Sequence, residues 1–209
     1  MIGCMNMRVD LDTVTEFEER IAKFFGAPYA VSTDSCTHAI ELSMRYKNLR
    51  IATVPKHTYL SVPMTVHKLG GIVGWTNTKW EEYYHLGKGI YDAAVLWREN
   101  SYVENTFMCV SFQWRKHLSL GRGGVILLDD KEAYETLIKM GYDGRSRDAR
   151  WADQDIEMMG YHYYMTPETA QLGLDKLNEA IGTDAKKWSW KDYPDLTKMK
   201  FRGIFDVKL

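Results

Sequence analysis

Phe107-Met-Cys-Val-Ser-Phe-Gln-Trp-Arg-Lys-His-Leu-Ser-Leu-Gly-Arg-Gly-Gly-Val-Ile-Leu-Leu128 is the stretch on which the reading of this chain turns. Its two ends, Phe107–Phe112 and Val125–Leu128, are apolar runs of strand length. Between them a short polar segment carries Lys116, and Gly121, Gly123 and Gly124 turn the chain back. A lysine held between two buried strands is a candidate Schiff-base nucleophile, because desolvation lowers its pKa and frees its lone pair. The same segment also reads as a solvated basic turn, with Arg115, Lys116, His117 and Arg122 facing water or an anion. Local chemistry leaves both readings open.

Composition narrows the classes. The chain has 209 residues, 45% hydrophobic and 26% charged, enough for one or two globular domains with a real core. A net charge of −1 gives no electrostatic reason to expect nucleic acid or an anionic membrane as a partner. Three cysteines, Cys4, Cys36 and Cys109, lack metal-type spacing and cannot all pair within one chain, which points to a reducing cytoplasm. No run of about 18 apolar residues spans a bilayer, and Met1–Arg8 lacks the apolar core of a signal peptide.

Along the chain, helices and strands alternate. A capping box at Thr13/Glu16 or Thr15/Glu18 opens a first helix with Phe17, Ile21, Phe24 and Phe25 inward, stopped by Gly26 and Pro28. Tyr29–Val31 reads as a strand, and Ser32–His38 as a small polar turn before a helix over Ala39–Tyr46. Such a turn is an anion site or a plain N-cap. Arg50–Val54 is a strand, followed by a helix with Pro63 in its first turn and a strand over Ile72–Trp75. Residues 76–89 read as loop. Gly89–Asp92 is a strand ending on a carboxylate, where open α/β sheets place ligands, or where a turn is simply capped. Lys131–Met140 is a helix, Asp143–Asp155 an exposed polar loop, and Thr166-Pro-Glu the start of another helix. The tail from Thr183, with Trp188, Trp190, Tyr193, Phe201 and Phe205, reads as a docking arm. The class is α/β with a mainly parallel sheet flanked by helices.

Taken together, these segments resemble the DegT/StrS family of pyridoxal-phosphate-dependent sugar aminotransferases. The resemblance is carried by Phe17–Gly26, Ser35-Cys-Thr-His-Ala39, Pro55-Lys-His-Thr-Tyr59, Asp92-Ala-Ala94, Ser111-Phe with Lys116 and Gly123-Gly124, and Gly160-Tyr-His-Tyr-Tyr-Met-Thr166. It implies a minimal fold type I domain over residues 1–182, with an arm at 183–209 in place of the family's small domain. It implies pyridoxal 5′-phosphate bound by Lys116, with Asp92 on the ring nitrogen and Tyr59 stacked on the ring. Cys36, Thr37, His38 and Ser111 would hold the phosphate, and His162 would donate to it across a homodimer. The implied reaction moves an amino group from glutamate or a similar donor to a keto-sugar, a nucleotide-linked one in the family's pattern of amino-sugar biosynthesis. Each assignment has a plainer counterpart: a packed tyrosine, a strand-end cap, an interface histidine. The chain is also much shorter than is usual in that family. Val95 stands where the family usually has glutamine, Arg122 where it has glutamate, and His162 where it has asparagine. These departures keep open a non-catalytic binding or partner subunit of the same fold.

Overall fold

The computed structural model describes residues 7–200, 203 and 205; Cys4 and Phe201 lie outside them. Five helices run α1 (Met7–Phe25), α2 (Cys36–Tyr46), α3 (Ser61–Lys68), α4 (Lys131–Gly141) and α5 (Pro167–Ile181). Seven strands run β1 (Tyr29–Thr33), β2 (Ile51–Pro55), β3 (Ile72–Thr76), β4 (Tyr84–Gly87), β5 (Ile90–Asp92), β6 (Phe107–Ser111) and β7 (Gly124–Leu128). No described helix is long and apolar enough to cross a membrane.

The central sheet has the order β1-β7-β6-β5-β4, and β2 and β3 form a separate pair that lies against β4. Side chains alternate strictly across β6 and β7. Met108, Val110, Val125 and Leu127 face α1 and α5, whereas Phe107, Cys109, Ile126 and Leu128 face α2 and α4. Both faces are covered, which is why these strands read as unbroken apolar runs. On the first face Gly173 of α5 lets the helices approach closely, since a Cβ there would sit 2.4 Å from the Phe17 ring.

The α/β layering matches the expectation, but the strand directions do not. β5/β6 and β2/β3 pair in parallel, while β1/β7, β6/β7 and β4/β5 pair antiparallel. The sheet is therefore mixed, not mainly parallel. The alternation of helices and strands suggested crossovers, but β6 and β7 are joined by the Lys116 loop and β4 and β5 by a tight turn, and neither connection is a helix.

Three local expectations also change. α1 begins at Met7, so Thr13 and Thr15 are interior rather than capping; the Thr15 hydroxyl donates back to the Leu11 carbonyl at 3.2 Å. The cause is that the apolar stripe continues toward the N-terminus through Val14 and Leu11, both buried. Residues 84–87 form a strand, not loop. Lys88 and Gly89 both take positive φ (48° and 74°), which closes a two-residue hairpin between β4 and β5. Finally, the 143–155 segment is exposed over most of its length as expected but is anchored at Arg147. Arg147 makes a bidentate pair with buried Glu18 at 2.8 and 3.0 Å, and Glu18 also accepts from Ser32 N–H and Oγ. Past α5, Trp190, Tyr193 and Phe205 pack on the α2/α4-side core, and Trp188 O and Trp190 N bond to Glu82 N and Trp80 O.

Candidate active site

β5 and β6 run in parallel, so their C-terminal ends open on one side, and α2 begins beside them. Gly124 permits this close approach: a Cβ at that position would lie 2.3 Å from the Cys36 nitrogen. The result is a cleft of about 330 Å³ lined by Ser35–His38, Tyr59, Asp92, Ser111, Lys116 and Arg122, with Ala94, Gln113 and Ser61 among its other walls. Eight of the candidate positions were scattered from 36 to 162 in the sequence; seven of them meet here.

The floor of the cleft is Asp92, 5% exposed. Its Oδ1 accepts the Ala94 N–H at 2.9 Å and its Oδ2 accepts the Tyr84 hydroxyl. Burial raises its pKa above the usual carboxylate value, while those two donors and the nearby Lys116 charge pull it back. Lys116 is half-buried, and burial pushes its ammonium below the ordinary lysine range against the opposing pull of Cys36 and Asp92. No hydrogen bond or ion pair holds its Nζ among the described residues; the Trp188 ring lies 5.2 Å away. A lysine of lowered pKa without an anchored partner has an available amine, which is what a covalent attachment point needs. Within the basic segment Arg115 and Arg122 are exposed, while Lys116 is half-buried and lines the cleft.

The wall is the first turn of α2. Ser35 caps it, its hydroxyl accepting the His38 N–H at 3.3 Å. The N–H groups of Cys36 and Thr37 precede the helical ladder and have no partner within it, so the Ser35 cap leaves two donors facing the cleft. Thr37 Oγ1 bonds Ser61 Oγ at 2.8 Å. The Cys36 thiol donates to the Cys109 carbonyl at 3.4 Å and is driven up in pKa by burial, which makes it a packed, protonated group. His38 turns its Nδ1 to Asp34 at 2.5 Å and stacks on Tyr163 with centroids 3.6 Å apart. Asp34 in turn accepts from Arg122 at 2.9 Å. Ser111 Oγ accepts the Gln113 N–H at 3.3 Å.

Tyr59 stands at the rim, 58% exposed. His162 does not enter this chain's cleft; it is 71% exposed and its Nδ1 lies 3.0 Å from Asp143. That is compatible with a residue read as serving a neighbouring copy. Sequence reasoning missed Tyr84, whose hydroxyl donates to Asp92, and Thr58, which bonds the Tyr84 hydroxyl. The available signal was Tyr84-His-Leu86, apolar-polar-apolar, running into a Lys-Gly turn. Among the described residues no group of His, Cys, Asp or Glu is arranged to hold a metal.

Comparison with known proteins agrees with this architecture. The model of the DegT/DnrJ/EryC1/StrS aminotransferase family matches residues 7–83 and 103–193. The segment between them holds β4, β5 and Asp92. The uncharacterised protein MJ1066 of Methanocaldococcus jannaschii is 22% identical over 79% of this chain and 56% of its own. The sugar aminotransferase CalS13 of Micromonospora echinospora superposes with a TM-score of 0.67 at 13% identity, over 84% of this chain and 66% of that one. Spr1654 of Streptococcus pneumoniae, solved in its PLP form, gives 0.66 at 16% identity, over 86% and 66%. The chain thus spans less than two thirds of the proteins it resembles.

Proposed function

The chain belongs to the DegT/DnrJ/EryC1/StrS aminotransferase family, and on that premise we propose that it is a pyridoxal 5′-phosphate-dependent aminotransferase. The donor would be glutamate or a similar amino acid and the acceptor a keto-sugar, nucleotide-linked. One observation carries the reading: a half-buried lysine of lowered pKa, a buried carboxylate and an unladdered helix N-terminus line the same cleft.

That donor set fits the cofactor. Lys116 would hold it through its side-chain amine, Asp92 would face the ring nitrogen, and the α2 N-terminus with Ser111 would take the phosphate. When bound, the cofactor supplies a conjugated electron sink for chemistry at the substrate's amine-bearing carbon. The chain's own residues do the rest. Asp92, buried at the floor of the cleft, would keep a proton on the ring nitrogen by accepting from it. Lys116, once displaced by the incoming substrate amine and easily neutral because it is desolvated, would take a proton at Nζ from the substrate carbon and return it. Tyr59, at the rim, would stack on the ring. Cys36, kept protonated by burial, adds no competing nucleophile.

Adding pyridoxal phosphate to the purified protein should produce a visible absorption band that Lys116→Ala lacks, and glutamate should bleach it. A wild-type protein without such a band ends the proposal; a panel of keto-sugar nucleotides then identifies the acceptor. A second reading, a non-catalytic binding or partner subunit, is favoured by the chain's partial span of its relatives and by Arg122, which is engaged with Asp34. A band that forms but persists with every amino donor selects it. We also expect a homodimer, with His162 serving the partner; a cofactor-loaded monomer in light scattering would exclude that.

A further inference from the structure

Tyr84 opens β4, in the segment that lies between the two family-matched stretches. In the antiparallel β4/β5 pair it stands directly opposite Asp92, so the two side chains are nearest neighbours on one face. Both are buried, and the Tyr84 hydroxyl donates to Asp92 Oδ2. Thr58 Oγ1, also buried, bonds the same phenolic oxygen. The direction of this chain is fixed by inventory. An ionised carboxylate only accepts and a phenol has one proton, so the proton of Tyr84 goes to Asp92 and Thr58 donates into the Tyr84 oxygen.

Thr58 immediately precedes Tyr59 in sequence. The chain Thr58 to Tyr84 to Asp92 therefore joins the floor of the cleft to the backbone that carries the rim tyrosine. Tyr84 is itself held: its ring lies 5.3 Å from Trp80, whose Nε1–H donates to the His57 carbonyl at 2.7 Å. Removing the Tyr84 hydroxyl would leave Asp92 Oδ2 without this donor in a buried site, where an unpartnered charge is costly. The other groups facing Asp92 are Lys116 from the loop, Cys36 from α2, Cys109 from β6 and Tyr193 from the arm. Of these, Lys116 supplies the one positive charge.

We propose that Tyr84 is a positioning residue for Asp92: its hydroxyl holds the carboxylate as an anion aimed into the cleft and, through Thr58, couples it to the Tyr59 segment. The role rests on the reading of Asp92 as partner of the ring nitrogen.

The test uses the full chain without cofactor. Difference infrared spectra between wild type and Asp92→Asn isolate the Asp92 carboxyl band and its titration midpoint. In Tyr84→Phe that midpoint should rise by about one pH unit, the loss expected for one hydrogen bond to a charged group. Thr58→Val should raise it by less. An unshifted midpoint in a Tyr84→Phe protein with native circular dichroism overturns the proposal. If Tyr84→Phe does not fold, Thr58→Val decides on the same criterion. With pyridoxal phosphate added, affinity in Tyr84→Phe should fall severalfold, and more steeply at low pH; equal affinity at all pH values overturns the role toward the cofactor. Absence of any cofactor band in wild type strikes the functional reading instead, and the infrared midpoint still decides the relation between Tyr84 and Asp92.

Discussion

The two ends of the cleft are built differently. At the buried end, Asp92 sits on a central strand with both carboxylate oxygens bonded, and Cys36, Ser111 and Lys116 approach from sequence-distant elements. At the open end, Tyr59 is exposed and Arg122, 67% exposed, is linked to Asp34 by one ion pair. The buried end uses desolvation, which magnifies every charge interaction; the open end works against water, which diminishes them. Changes at the floor should therefore be felt as chemistry, and changes at the rim as modest affinity or stability effects.

Five substitutions at four residues can break that contrast. Lys116→Ala should abolish the cofactor band and all amino transfer, measured by absorbance and a donor-coupled assay; residual turnover would remove the floor's primacy. Asp92→Asn should keep the fold and lower turnover by on the order of a hundredfold, as expected when a preorganised charge is lost. Tyr59→Ala should weaken cofactor binding by about threefold to tenfold, the scale of one ring–ring contact, read by titration of the band. Lys116→Met should raise the Tm of the cofactor-free protein by a few degrees. The sign follows from burial lowering the Lys116 pKa. Below its folded pKa the buried ammonium costs stability in full. That cost fades as pH rises toward the ordinary lysine value, where the unfolded chain also loses its proton. The gain from Met should accordingly be largest at neutral pH and vanish in strong alkali. Arg122→Ala should have the smallest effect, changing Tm by no more than about 2–4 °C, because an exposed ion pair contributes at most about 1 kcal/mol.

A contrast of the same kind separates Glu18–Arg147 from the rim. That pair is buried and bidentate, and Glu18 also receives two bonds from Ser32. It secures the 143–155 segment against α1 and β1, so Arg147 is unavailable to a substrate. From sequence, Arg145 and Arg147 looked alike in an exposed polar loop. In the fold, Arg145 lies over the Tyr142 ring and pairs with Asp143, while Arg147 crosses to a helix 129 residues away.

The sequence by itself determined the elements and the chemistry they could carry. Apolar runs bounded by glycine and proline marked β6, β7 and α1, the small polar turn 32–38 announced α2, and the cap at Thr166 located α5, because these signals are local. The candidate residues around Lys116 were legible for the same reason: each motif is a few residues long. Strand direction was not, since pairing is settled by which connection each strand has, and a loop or hairpin leaves no crossover helix to read. The β4 strand was easily missed because its alternation spans only Tyr84-His-Leu86 before a bulge, which is short for a period to stand out. Only the tertiary structure decided the burial of Lys116 and Asp92, and with it their pKa directions. It alone brought Tyr84 opposite Asp92, because that contact depends on register across a hairpin and on the neighbouring Thr58, 26 residues earlier in the chain.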